Sequence, residues 1–338
     1  MSNLSGVGKM TIRFLATILV GLLASACAGA DYPGFFDAAV EVTTGVDLQD
    51  DLDYYLERQE QARQAALENP VEPQAVIRGP SPTANVTQTR ARNGLVVSPH
   101  NTWSAIVVAG DFRAASGGET EAFDNARREV SRQLQAIGFD RRNITEFSMR
   151  PTRYPNNRLL ETSFAGMKES LQRNRLHGDD GCLVYMTSHG FPTAFAIGAR
   201  EVITPPQIHQ MLDEVCGDDP TILVVSACYS GIFVQGEMTQ PNRMIMTAAR
   251  SDRTSFGCGE GTTYPYFDAC FLESLEIATD WVDLARNTRG CVVAQEQAEN
   301  LSPPSAPQIY LGPDARDIMM TPFARQQNDN YGPALPGT

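Results

Sequence analysis

The chain has 338 residues, enough for one large domain or two modest ones with a sizeable core. Its composition is that of an ordinary globular protein, with 42% hydrophobic and 20% charged residues. The net charge of −13, with no basic cluster to offset it, argues against nucleic acid as a partner, because an acidic surface repels a phosphate backbone.

Lys9 and Arg13 precede or open an apolar run from Phe14 to Ala24, followed by Ala24-Ser25-Ala26-Cys27. The run is too short to span a bilayer and has the form of a signal-peptide core, so residues 1–26 read as an export signal. Two outcomes stay open at its end. Lipoprotein processing would leave Cys27 as a lipidated N-terminus; cleavage at the A-x-A site would leave a soluble protein. The expected location is therefore the periplasm or the bacterial envelope membrane, with membrane contact only through a lipid on Cys27. No later segment is apolar enough over sufficient length to cross a membrane.

Residues 27–100 differ in character. Leu48 to Leu67 is an acidic, Gln-rich helix candidate whose sparse apolar residues need support from another element. A Pro-, Thr- and Asn-rich stretch follows and reads as linker. This region is a tether and spacer, or a pro-segment that covers an active site.

From Trp103 onward strands and helices alternate. The strand candidates are Ser104–Ala109, Ile144–Met149, Cys182–Thr187, Thr221–Ser226 and Arg243–Ala248. The helix candidates are Glu121–Ile137, Thr162–Leu176, Pro205–Val215, Tyr266–Ala278 and Trp281–Ala298. In the first helix Phe123, Ala126, Val130, Leu134 and Ile137 share one face, and Gly138 ends it. Continuous apolar strands between amphipathic helices imply a mostly parallel central sheet covered on both faces, a three-layer α/β/α sandwich. The domain so defined spans 101–313, and 314–338 reads as an irregular tail.

In such sheets, reactive groups sit at the C-terminal edge of the strands. CLVYMT runs into Ser188-His189-Gly190, and TILVVS runs into Ala227-Cys228-Tyr229-Ser230-Gly231. If the two strands are neighbours, His189 and Cys228 meet. A thiol needs an adjacent base or cation to act as a thiolate near neutral pH, and imidazole supplies one. Gly190 and Gly231 would let backbone amides approach a substrate, with the N–H groups of Gly190 and Cys228 forming an oxyanion hole. Singly, each residue reads as structure: a core cysteine, a strand-end histidine. The pair at equivalent positions of consecutive buried strands reads as chemistry.

Strand-His-Gly followed by strand-Ala-Cys resembles the signature of the clan CD cysteine peptidases of caspase-like fold, with the legumain branch and its secreted bacterial members as the best match. VVAGD at 107–111 resembles that family's first strand and turn. Ala227-Cys228-Tyr229-Ser230-Gly231 resembles its cysteine block, with Tyr229 where the family has Glu. ARSDRTSFGC at 249–258 resembles the segment lining its substrate cleft, which brings Ser255 and Phe256 to the substrate. The resemblance covers roughly 102–312. It implies a Cys228–His189 dyad, an acyl-enzyme, a peptide or protein substrate, and no metal or organic cofactor. Asp111 is the one candidate to orient His189; a turn-forming Asp is its other reading. The family's specificity pocket does not carry over: Thr120 stands where an Arg is expected, and only Glu260, within one position of the pocket acid, retains a charge. An acid without that Arg would favour a basic side chain, unless Glu260 is merely a solvated loop residue.

The other cysteines read as structure. No Cys/His cluster has zinc spacing. Cys182 and Cys216 both fall at the lower sheet edge, bridged or as two reduced thiols. Cys258 pairs with Cys270 or with Cys291. A non-catalytic caspase-like binding module and a transpeptidase using the same dyad are the competing functions. A G-x-S-x-G elbow, a P-loop and a G-x-G-x-x-G turn are all missing, which leaves other α/β chemistries without a motif.

Overall fold

The computed structural model describes residues 98–154, 158–176 and 180–325, with parts of a helix between 50 and 64. The expected export signal at 1–26, Cys27 and most of 27–100 lie outside the described residues.

The central sheet has seven strands: β1 (Ser104–Ala109), β2 (Ile144–Ser148), β3 (Leu160–Glu161), β4 (Cys182–Thr187), β8 (Thr221–Ser226), β9 (Arg243–Thr247) and β10 (Gln308–Leu311). Their order is β10-β9-β8-β4-β1-β2-β3, parallel throughout except for the antiparallel edge strand β10. Three further strands, β5 (Gly190–Phe191), β6 (Ala194–Ile197) and β7 (Glu201–Ile203), form a small antiparallel sheet directly after His189. The sequence pattern assigns no element there, because two- to four-residue strands carry too few alternations to register.

Side chains of a strand alternate between faces, and both faces here are apolar. Val107, Tyr185, Val224 and Met246 pack under α1 (Ala122–Ala136), α4 (Tyr266–Ile277) and α5 (Trp281–Ala298). Ile106, Val184, Met186 and Val225 pack on the opposite side under α2 (Phe164–Arg175) and α3 (Pro205–Cys216). The result is a three-layer sandwich, and each fully buried Leu, Ile, Val, Phe or Met contributes about 1.5–3 kcal/mol.

Local caps set the helix ends. The sequence pattern starts α2 at Thr162, but the Ser163 side chain accepts from Gly166 N–H and begins the helix at Phe164. Thr162 instead ties strands: its hydroxyl donates to Ala109 O at 2.8 Å. At α3, Thr204 and Gln207 form a capping box ahead of Pro205 and Pro206.

The chain beyond Leu311 is more ordered than its composition implies. Residues 313–315 form a 3-10 turn and Arg316–Met319 a short helix, α6. Ala315, Met319 and Phe323 join the core under α1, α4 and α5, so the folded domain runs past 313. The described part of the 50–64 helix rests on the outer helices. Tyr54 donates to Asp283 at 2.6 Å, the Arg286 guanidinium lies 3.9 Å over the Tyr54 ring, and Tyr55 donates to Glu273 at 3.1 Å.

Candidate active site

β4 and β8 are hydrogen-bonded neighbours in parallel register, from Cys182 opposite Thr221 to Thr187 opposite Ser226. Ser188 N–H extends the ladder to Ser226 O at 3.1 Å. His189 and Cys228 therefore stand at the same height, each two residues past a paired partner and at the C-terminal edge of the sheet. The residue after His189 comes close to the Cys228 backbone. A Cβ on Gly190 would lie 1.9 Å from the Cys228 carbonyl oxygen, so glycine is required there by space. Ala196 N–H donates to His189 O, which makes Gly190–Phe195 the non-bonded pair of the β5–β6 ladder. The Gly190 N–H is thereby turned away from β6.

His189 is buried, with its ring edge-on to Phe123 of α1 at 5.3 Å between centroids. Its Nε2 lies 2.8 Å from Arg113 O. A carbonyl only accepts, so Nε2 carries the proton and Nδ1 of the neutral ring carries the lone pair. The Arg113 carbonyl is placed by Asp111. The Asp111 carboxylate accepts from Phe112 N–H at 2.7 Å, Arg113 N–H at 3.1 Å and Arg113 Nε at 2.9 Å, and pairs with Arg113 Nη2 at 2.5 Å. Burial pushes this carboxyl up, but the bonds from Arg113 and Phe112 outweigh it and hold it below its ordinary value. Asp111 is thus the turn-former of the two readings, and the turn it forms presents the imidazole's partner.

Cys228 is buried and outside any disulfide. Its sulfur accepts from Ser255 N–H at 3.2 Å and lies 3.7 Å from Ser255 Oγ. The sulfur also donates to Ser255 O at 3.7 Å, so the Ser255 backbone meets it from both sides. Tyr229 follows in the left-handed region, with φ of 57°, and donates its N–H to Arg253 O at 2.7 Å. This sharp turn after β8, uncommon for a bulky residue, sets Cys228 at the bend.

The expected cleft residues divide. Ser255 adjoins the sulfur, and Phe256 packs on Tyr266 with centroids 6.3 Å apart. Glu260 is exposed and accepts from Ser116 Oγ at 2.5 Å, holding the loop after β1. Thr120 supports the same loop by donating to Gly259 O at 3.1 Å. At Gly231 a Cβ would lie 2.4 Å from Ser251 N, so glycine is needed there to admit the 249–251 backbone. Sequence reasoning missed Arg150. Its guanidinium lies 4.8 Å over the Phe112 ring and reaches Thr120 O and Glu121 at 3.2 Å. It sits past β2, outside every motif, and carries no sequence signal.

Cys182 and Cys216 are bridged, and Cys270 pairs with Cys291, so Cys258 pairs with neither of the partners offered to it. Among the described residues no group of His, Cys, Asp and Glu is placed to hold a metal ion, and no helix is long and apolar enough to cross a membrane.

No curated protein matches the chain. Among solved structures, caspase-1 from Spodoptera frugiperda is similar at 14% identity and a TM-score of 0.45, over 68% of this chain and 94% of that one. A structure described as pro-sf-caspase-1 is similar at 13% identity and a TM-score of 0.41, over 62% of this chain and 91% of that one. The model of the Peptidase C13 family matches residues 163–292, the stretch that carries His189, Cys228 and the 249–258 segment. Over residues 163–292, then, the chain is similar to the Peptidase C13 family.

Proposed function

We propose that the protein is a cysteine endopeptidase that cleaves peptide bonds through a Cys228–His189 dyad. The observation that carries this is the register of β4 and β8, which brings one imidazole and one unbridged thiol to matching positions at the sheet edge. His189 Nδ1 takes the thiol proton, and the Cys228 thiolate attacks the scissile carbonyl carbon. The carbonyl oxygen gains the electron pair and is held by the N–H groups of Gly190 and Cys228. Collapse of the tetrahedral species expels the amine, which leaves with the proton from His189. Water, deprotonated by the same imidazole, then cleaves the thioester and restores the thiol. The Ser255 N–H supports the thiolate, and Arg113 O supports the imidazolium that forms in both halves.

The substrate is a peptide or protein segment that enters along 249–258. The protein acts outside the cytoplasm, soluble in the periplasm or lipid-anchored at Cys27. The apolar run at 14–24 and the two bridged cysteine pairs both fit an oxidising compartment.

The test is cleavage of a peptide library by the full protein beside a Cys228→Ala variant, with mass-spectrometric identification of new termini. Cleavage lost in the variant supports the proposal. Equal inertness of both proteins refutes it and leaves a non-catalytic binding module.

A further inference from the structure

The strongest feature outside the dyad lies one step beneath it. Asp268 of α4 is fully buried and reaches the ends of both catalytic strands. Its carboxylate accepts from Thr187 Oγ1 at 2.6 Å and from the Tyr185 hydroxyl, both on β4. The Ser226 hydroxyl of β8, on the ladder partner of Thr187, acts on the same carboxyl and helps to pull it down. Thr187 and Ser226 are partners in the ladder, and each is two residues ahead of a dyad member. Two residues is one full alternation of an extended strand. Tyr185 and Val224, two residues further back, lie in the core cluster on the α4 side, which fixes that face for Thr187 and Ser226 as well.

We propose that Asp268 is a positioning residue for the dyad: it clamps the last rungs of β4 and β8 together and so sets the distance between His189 and Cys228. This inference rests on the peptidase reading. A carboxylate has acceptor sites for three hydroxyl donors at once, so a single side chain can hold both strands. Parallel strands at their ends otherwise have only the slanted backbone bonds of the last rung, here Ser188 N–H to Ser226 O. Displacement of about 1 Å between reacting groups is enough to cost on the order of 100-fold in rate.

Burying the Asp268 carboxyl is costly. Burial pushes it up to about 6 in spite of the three hydroxyl donors, which pull it down. A folded value above the ordinary one means stability that is present below the ordinary value and lost as pH rises through about 6. Near neutral pH the ionised group therefore works against folding, while an apolar replacement leaves the buried Thr187 and Tyr185 hydroxyls without their acceptor.

The experiment compares wild type, Asp268→Leu and Asp268→Asn on a cleaved peptide at pH 7.5, with thermal unfolding of each. Asp268→Leu is expected to unfold somewhat below the wild-type temperature, and, where still folded, to lose kcat by about tenfold or more while keeping KM within about twofold. Asp268→Asn is expected to recover kcat to within about threefold, because its amide oxygen accepts two hydroxyls and its N–H groups meet a third that has turned. A folded Asp268→Leu protein with wild-type kcat overturns the proposal. If Asp268→Leu does not fold, Thr187→Val and Ser226→Ala each remove one arm of the clamp; wild-type kcat in both overturns it, and loss of kcat at constant KM supports it. A wild-type protein as inert as Cys228→Ala refutes the peptidase reading itself, and this inference with it.

Discussion

His189 and Arg113 are joined side chain to backbone, with the imidazole Nε2 2.8 Å from the Arg113 carbonyl oxygen. With Nε2 donating, Nδ1 is the nitrogen left for the proposed base, and the bond depends on the turn that Asp111 holds through Phe112 and Arg113. Asp111→Ala is expected to lower kcat about tenfold or more, a part of the roughly 100- to 10,000-fold that general acid–base catalysis contributes, with KM little changed. Steady-state cleavage on folded protein measures it. Unaltered kcat would show that the carbonyl stays in place without the carboxylate.

Gly190 is the tightest backbone approach in the site. A methyl group on its Cα would lie 1.9 Å from Cys228 O and 2.9 Å from the Cys228 carbonyl carbon, both backbone atoms that no rotamer change can move. Gly190→Ala must push β5 away from the turn after β8, and it moves one expected oxyanion donor off its position. Loss of one such donor costs about 100- to 1,000-fold in kcat. The prediction is a loss of that size, with a small drop in unfolding temperature. Wild-type turnover would remove Gly190 from the oxyanion hole.

The strands that carry the site were legible because each is an uninterrupted apolar run of six residues, CLVYMT and TILVVS, that only a sheet covered on both faces accommodates. His189 and Cys228 were legible because they end those runs at equivalent positions. Their partners were not. Arg113 contributes a backbone carbonyl, which any residue could offer, so its identity carries no signal. Asp268 reads as an ordinary helix residue until the fold carries α4 across the ends of β4 and β8, 81 positions from Thr187. Arg150 reaches the loop after β1 only because β1 and β2 pair. Gly231 shows a need invisible in sequence: the 249–251 backbone occupies the space its missing side chain leaves.

His100 gives the fold an acid limit. It is enclosed by Trp103, Phe139, Trp281 and Phe323, and its Nε2 accepts from Trp281 Nε1 at 2.9 Å. Indole only donates, so the ring is neutral, and burial lowers its titration from 6.5 to about 4. The unfolded chain takes up the proton that the folded chain refuses. Stability is therefore present in full above pH 6.5 and falls as pH drops toward 4, by about 3 kcal/mol from this group. His100→Gln keeps an acceptor for Trp281 and removes the titration. Its unfolding free energy should fall less than that of wild type between pH 7 and pH 4. Parallel pH profiles for the two proteins would contradict the assignment.

The bridge between Cys182 and Cys216 joins the start of β4 to the end of α3, at the sheet edge opposite the dyad. It closes a loop of sequence separation 34, and the second bridge, between α4 and α5, closes one of 21. On the chain-entropy account each is worth about 3–4 kcal/mol, the longer loop slightly more. Because the first bridge lies at the far end of strands that are paired along their whole length, removing it raises the unfolded chain's entropy without loosening the His189–Cys228 edge. Cys182→Ser with Cys216→Ser should therefore lower the unfolding free energy by about 3 kcal/mol while kcat and KM of the proposed cleavage stay at wild-type values in the folded protein. Denaturant unfolding and peptide cleavage at a temperature where the variant is folded separate the two effects. A drop in kcat at full folding would mean that strain travels the length of β4, from Cys182 at one end to His189 beyond the other.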